Sequence, residues 1–286
     1  MDMKIGYTTM NTPADLEARR LGPLLESLGY DSLWIGEHSH IPVSRQTPYP
    51  TGGDLPWQYT TMMDPFISLT QAAEHTTSLL LGLGVALPLE HDIFVLAKQV
   101  ATLDLTSQGR LQFGVGVGWN REELANHHSV SWSLRYRALA ECVSALRALW
   151  VDDESEFHGE YYNFDKLWCR PKPLQQPHPP IWCGMGGKLG TQHAIAWSDG
   201  WMPLDVALGD VSRRVQRFQQ KVQENGREPI PISMVAFGDP TFETLCEYRD
   251  LGIERVILGS GRQGWEDPDG VPAFIEKYAA MIEHLQ

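Results

Sequence analysis

Eight short apolar runs, each followed by a stretch with helical spacing, set the strongest limit on what this 286-residue chain can become. The runs fall at residues 4–8, 33–36, 79–86, 111–117, 180–183, 200–203, 230–237 and 255–258. They are continuously apolar rather than alternating, as strands covered on both faces are. A strand that is followed by a helix returns to the same edge of its sheet, so the alternation implies parallel pairing. Eight such units imply closure, and the fold class read here is α/β, a (β/α)8 TIM barrel. An open doubly wound sheet is the alternative, because only the count separates the two.

Capping residues suggest where the helices start. Thr12, Pro13 and Asp15 predict a helix directly after the first strand, closed by Gly29. Asp64-Pro65 and Asp239-Pro240 repeat the cap-then-proline pattern. Further helices are predicted over 92–106, 134–150, from 188, over 210–224 and over 271–285. Two stretches break the rhythm. Residues 37–63, rich in Pro, Gly, Thr and Tyr, are too long for an ordinary connection and read as a functional loop. Tyr49, Trp57 and Tyr59 make that loop the expected lid and the expected source of substrate selectivity. Residues 153–178 contain the hairpin-like run 157–164 and then several prolines, and read as an insertion before the fifth strand. The chain 1–286 is read as one domain.

Charge narrows the partners. With 23 Lys and Arg against 36 Asp and Glu, the net charge is −13, and no clustered basic run stands out. Nucleic acid is therefore not an expected partner. No apolar run approaches the ~20 residues of a membrane span, and the first residues lack a signal-peptide pattern. Cys142, Cys169, Cys183 and Cys246 are widely spaced with no C-x-x-C pair, which fits reduced thiols in the cytoplasm.

In such barrels the chemistry gathers at the C-terminal ends of the strands. Glu37 and His38 end the second strand, and Gly84-Val85 the third. The fourth ends in Gly116-Val117-Gly118-Trp119-Asn120, with Glu122 and Glu123 behind it. The fifth ends in Gly184-Met185-Gly186-Gly187. His38 is either a proton carrier near neutral pH or a hydrogen-bonded structural residue. Trp119 and Trp201 either stack on a flat conjugated ring or pack the rim. Gly114, Gly116 and Gly118 either admit a ring close to the backbone or allow tight packing. They make no G-x-G-x-x-G motif, since position 119 is Trp. The 184–187 turn precedes a helix, whose free N–H groups and dipole suit a phosphate. His38-x-His40 has the look of a metal pair. Later strands end in glycine rather than in further ligands, so no metal is expected. His127 and His128 read as loop residues.

Four runs carry a family resemblance: Leu81-Gly-Leu-Gly-Val-Ala-Leu-Pro88, Leu96-Ala-Lys-Gln-Val-Ala-Thr-Leu-Asp104, Ser107-Gln-Gly-Arg-Leu111 and Gly114-Val-Gly-Val-Gly-Trp119. Together the chain resembles the bacterial luciferase-like family, in particular its oxidoreductases dependent on coenzyme F420, a deazaflavin. The resemblance implies that Glu37 and His38 are catalytic and sit beside the reactive ring. It implies a non-prolyl cis peptide at Gly84-Val85. It places Val117, Gly118 and Trp119 along the ring, and Gly184, Met185, Gly186 and Gly187 on the cofactor's phosphate. Asp104 and Arg110 match positions expected to form a buried ion pair. The implied cofactor is F420, with FMN as the alternative, because the Gly-Met-Gly-Gly loop and Glu37 depart from some deazaflavin relatives. The implied reaction moves a hydride between F420 and a small organic substrate. A two-component monooxygenase using reduced FMN is the rival, and a flavin-like ligand binder without turnover is a third reading. A separate flavin or F420 reductase and a homodimer are the partners that the resemblance implies. The anionic tail of the deazaflavin would call for cations at the rim, and Lys188, Arg170 and Lys172 are the candidates.

Overall fold

Eight strands pair in parallel and close on themselves. The structure, a computed structural model, describes residues 2–285, and only the backbone of 262–264. The barrel strands are β1 (Lys4–Thr9), β2 (Ser32–Ile35), β3 (Leu80–Ala86), β4 (Leu111–Val115), β7 (Ile181–Cys183), β8 (Gly200–Trp201), β9 (Ser233–Ala236) and β10 (Arg255–Gly259), while β5 (Ser155–His158) and β6 (Asn163–Leu167) form a separate hairpin. The sheet order is β8-β7-β4-β3-β2-β1-β10-β9. Parallel bridges Trp201↔Ile232 and Leu204↔Val235 then join its two edges. That closure rules out the open doubly wound sheet. The antiparallel hairpin falls inside the expected insertion. Glu141 secures it by accepting the backbone N–H groups of Glu160, Tyr161 and Tyr162.

The helices are α1 (Ala18–Ser27), α2 (Pro65–His75), α3 (Ile93–Thr106), α4 (Arg121–Asn126), α5 (Arg135–Val151), α6 (Gly187–Trp197), α7 (Asp205–Leu208), α8 (Val211–Glu224), α9 (Phe242–Asp250), α10 (Gly261–Glu266) and α11 (Val271–Ile282). Among the described residues, none is long and apolar enough to cross a membrane. Asp64 caps α2 through Ile67 N–H at 2.9 Å, and Asp92 caps α3 through Phe94 and Val95. Two other expected starts differ. Thr12 and Asp15 close a turn of their own: Asp15 N–H donates to the Thr12 carbonyl, and Thr12 N–H to the Asp15 carboxylate. With those groups engaged, α1 begins only at Ala18. Asp239 does not cap α9 either. It has a positive φ of 48° and accepts from Lys277 and Tyr278, and Thr241 takes the cap position instead.

The core has two parts. One lies between the helices and the outside of the barrel. The other fills the barrel interior with Trp34, Trp182, Met202, Val235 and Ile257. Trp34 and Trp182 meet edge to face at 6.3 Å, and their indole N–H groups donate to Ser32 and Gln112. Each such ring buries about 150–250 Å², or roughly 4–6 kcal/mol of gross hydrophobic gain. Gly82 and Gly200 are the complement of these rings, since a Cβ at either would lie 2.2 Å from an indole carbon. The interior is therefore a packed plug, and only its C-terminal end is left for a site.

Asp104 and Arg110 do not form the expected pair. Arg110 donates to the carbonyls of Ala73, Leu79 and Ser107 and to the Thr76 hydroxyl. Its guanidinium sits where α2 ends, a position that favours a cation. Asp104 instead accepts from the backbone and side-chain amides of Gln175.

Candidate active site

A cavity of about 360 Å³ opens above the plug, with Trp34, Met202, Val235 and Ile257 at its base. Gly36, Gly116 and Gly184, each just past a strand end, and Gly84, inside β3 shortly before its end at Ala86, form a wall that is mostly backbone. The Gly84–Val85 peptide is cis, in line with the resemblance. Val85 O accepts Glu37 N–H at 3.1 Å. The Val85 side chain fills the space that Gly116 and Gly184 leave. A Cβ on Gly116 would lie 2.7 Å from Val85 Cγ2, and one on Gly184 2.2 Å from Cγ1. Gly114 has a different reason: a Cβ there would meet the Leu83 carbonyl at 2.0 Å. Of the two readings offered for the glycines of the fourth strand, tight packing holds at 114, while 116, like Gly184 in the neighbouring turn, makes room for a residue that borders the cavity.

His38 lines this cavity, and its side chain is only 8% exposed. Its Nδ1 lies 2.7 Å from Glu123 Oε2, and its Nε2 accepts the Trp119 indole N–H at 3.1 Å. Tyr59, from the loop after β2, packs edge to face on both His38 and Trp119. Tyr49 touches Tyr59 and Trp119, whereas Trp57 is exposed. Glu37 does not bond to His38. It accepts Leu87 N–H at 2.7 Å and pairs with His91 Nε2 at 2.7 Å. Burial works against a charged His91, yet the hydrogen bond and charge of Glu37 hold its pKa above the usual value.

Glu90 completes the cluster. Burial, and then the charges of Glu123 and Glu37, push its carboxyl up to about 9. Its Oε2 is 3.5 Å from His127 Nε2, and His127 also meets the Ser39 hydroxyl at 2.9 Å. His127, which reads from sequence as a plain loop residue, is therefore part of the polar cluster. Sequence alone assigns no role to Glu123, Glu90 or His91. The adjacent Glu122-Glu123 pair behind the fourth strand is the one available signal. Both members reach the loop after β2, Glu122 through Gln46 and Thr47 and Glu123 through Ser39.

The cavity brings together Glu37, His38, Gly84, Val85, Val117, Gly118, Trp119, Gly184, Met185 and Gly186, all predicted site residues. Gly187 borders a second cleft of about 240 Å³, between the start of α6 and α8. Trp201 lies beneath that cleft, stacked on Phe218 at 4.2 Å, and so takes the packing role rather than the ring-stacking one. Lys188, Arg214, Arg217 and Lys221 line the cleft. Spacing at 214, 217 and 221 brings the three α8 cations onto one side of that helix, and the fold adds Lys188 from α6. Arg170 and Lys172 are elsewhere. Arg170 pairs with Asp153, and Lys172 caps carbonyls at the end of α5, where the helix dipole draws a cation.

Two observations fit a bound anionic ring cofactor. Gly186 and Gly187 face open space, with nothing within 4 Å of a Cβ on either. The α6 N-terminus has no side-chain cap, which leaves its N–H groups to a ligand.

The sequence profile of the luciferase-like monooxygenase family matches residues 3–243. The chain belongs to this family. An uncharacterized protein of Mycobacterium tuberculosis is 37% identical over 289 residues, covering 98% of this chain and 99% of its own. An F420-dependent glucose-6-phosphate dehydrogenase of Amycolatopsis mediterranei is 27% identical, covering 99% and 91%. Among solved structures, the monooxygenase RslO1 of Streptomyces bottropensis superposes with a TM-score of 0.79 at 20% identity, over 99% of this chain and 100% of its own. The luciferase-like family thus has F420-dependent oxidoreductases and flavin-dependent monooxygenases among the relatives of this chain.

Proposed function

We propose that this protein is an F420-dependent oxidoreductase that transfers a hydride between the deazaflavin ring and a small organic substrate. The observation that carries this reading is the cationic cleft of Lys188, Arg214, Arg217 and Lys221 beside the 184–187 turn. A single phosphate, as in FMN, needs only the turn and the α6 N-terminus. Four further cations in a chain of net charge −13 match a longer anionic tail.

The residues would divide the work. Gly186 and Gly187 admit the phosphate to the α6 amides. Val85, held between Gly116 and Gly184, backs the ring, and Trp119 and Tyr59 border the space left for substrate. The bound deazaflavin supplies the hydride chemistry. His38 Nε2 takes up or gives the proton that accompanies it. Tyr59, whose phenol burial drives upward, stays protonated. Tyr59 and the rest of the 37–63 loop would shield the reaction from water, and a separate F420 reductase would return the cofactor to its starting state.

The rival, a monooxygenase using reduced FMN, shares the cavity and His38 but has no use for the cations of α8. Titration of the protein with F420 and with FMN, each oxidised and reduced, separates the two. Micromolar binding of F420 with much weaker binding of FMN is expected. Tight FMN binding together with oxygen consumption would overturn the F420 reading.

A further inference from the structure

We propose that Glu123 is the positioning residue that fixes His38 as its Nδ1–H tautomer, an assignment that rests on His38 being the proton carrier. Nε2 is then the nitrogen left to exchange a proton at the cavity. The indole of Trp119 is a donor only, so the Nε2 it meets at 3.1 Å must present a lone pair. A neutral imidazole then carries its proton on Nδ1, 2.7 Å from Glu123 Oε2. The other carboxylate oxygen, Oε1, accepts Ser39 N–H at 3.1 Å. Two donors on neighbouring residues of one loop converge on the two oxygens of a single buried carboxylate.

That convergence needs a carboxylate rather than a side chain of similar size. A glutamine has one acceptor oxygen. If the oxygen stays with Ser39 N–H, its amide N–H meets His38 Nδ1 and imposes the Nε2–H tautomer. The Nε2 proton would then oppose the Trp119 N–H, donor against donor. The surroundings leave this task to Glu123. Glu37 is engaged by His91 and Leu87. Glu90, pushed up to about 9, is an uncharged acid at neutral pH. Among the neighbouring imidazoles, His127 is held below its usual pKa, with burial as the first cause, and His40 pairs with Ser39 and Asn126. Trp119 is affected in turn. When Nε2 accepts a proton, both ring nitrogens become donors and the indole must release it, while Nδ1–H stays on Glu123.

Tautomers are read directly from multiple-bond ¹H–¹⁵N spectra of the full-length protein labelled with ¹⁵N-histidine, near neutral pH and without cofactor. His38→Asn assigns the His38 signals. The wild type should show protonated Nδ1 and bare Nε2, and Trp119→Phe should keep that pattern. Glu123→Gln should convert His38 mainly to Nε2–H. A wild-type His38 in the Nε2–H form, or a Glu123→Gln spectrum like the wild type, would overturn the assignment. Should Glu123→Gln fail to fold, Glu123→Asp decides with the wild type: the retained carboxylate keeps Nδ1–H, and Nε2–H in either protein overturns the assignment. Since no cofactor is present, failure to bind F420 would leave this result standing. With a turnover substrate, Glu123→Gln should lower kcat about 10²-fold, in the range of lost acid–base catalysis, with cofactor affinity unchanged.

Discussion

Val85 leans over Gly184 so closely that a single added methyl would lie 2.2 Å from its Cγ1. Gly184→Ala must therefore displace Val85 from the cavity wall. Overpacking of this kind costs about 1–3 kcal/mol. The variant should melt at lower temperature and bind cofactor more weakly. Gly116→Ala, with its 2.7 Å approach to Cγ2, should do the same to a smaller extent. Thermal denaturation and cofactor titration on the two variants check both the direction and the order.

Glu90 predicts a pH dependence of stability. Its carboxyl moves from an ordinary 4.5 to about 9 in the folded chain, chiefly through burial and then through Glu123 and Glu37. A raised carboxyl binds its proton more tightly in the folded state than in the unfolded one. Its contribution is complete below the ordinary value and is lost as pH rises through the folded value, between about 4.5 and about 9. Glu90→Gln keeps the neutral shape and removes the titration. The variant should be more stable than wild type at the alkaline end of that window, by about 1–3 kcal/mol. Denaturant melts across the window should show the wild-type decline flattened in the variant.

Arg110 predicts a loss of stability without a loss of site. Its guanidinium serves three backbone carbonyls and a hydroxyl at the junction of α2, α3 and β3. Arg110→Met leaves those acceptors unpaired in a buried place, at a cost of about 2–4 kcal/mol. Cofactor affinity of the fraction that remains folded should equal that of wild type. Urea melts and a titration on the same sample test the two halves.

Reversing charge in the α8 cleft should change affinity through salt-sensitive attraction. Arg214→Glu with Arg217→Glu should weaken F420 about 10-fold at low ionic strength, the sum of two exposed charge reversals. The variant's affinity should also vary less with salt than that of wild type. FMN binding should weaken less than F420 binding, because its single phosphate is held by the 184–187 turn and the α6 amides, and feels the reversed charges only through the shared cleft. Fluorescence titrations at two salt concentrations give all three numbers.

The distance over which each signal acts decides how much of the fold and of the site is legible in the sequence. Strands and helices arise from local spacing, so all eight barrel strands fall within a few residues of where their apolar runs put them. Asp64 and Asp92 cap helices with their own neighbours, and those starts are legible too. Asp239 departs from its expected cap because Lys277 and Tyr278, far away in sequence, compete for its carboxylate. The same holds at the site. His38 and the glycine turn stand at strand ends, a place the fold rule marks. Glu123 joins His38 across 85 positions, and Glu37 reaches His91 across 54. Arg110 and Asp104 are near in the chain and look like partners, whereas the Ala73 carbonyl on α2 and the Leu79 carbonyl before β3, which Arg110 serves, stand 37 and 31 positions away. Partners of buried charges are chosen by the closed barrel, after local structure is set.

β8 is two residues long, and among the described residues the contact of its segment with that of β9 is limited to the isolated bridges Trp201↔Ile232 and Leu204↔Val235. Backbone bonds across this junction include Trp201 N–H to Pro231 O at 2.9 Å and Val235 N–H to Pro203 O at 2.8 Å. β1 and β10, by comparison, are in register over five residue pairs. Pro231 can supply no donor ahead of the Trp201↔Ile232 bridge and Pro203 none between the two bridges, so the ladder is stopped at one end and interrupted in the middle. The wall of the barrel thus has a seam, and deuterium should enter the amides of Trp201 and Val235 before those shared by β1 and β10.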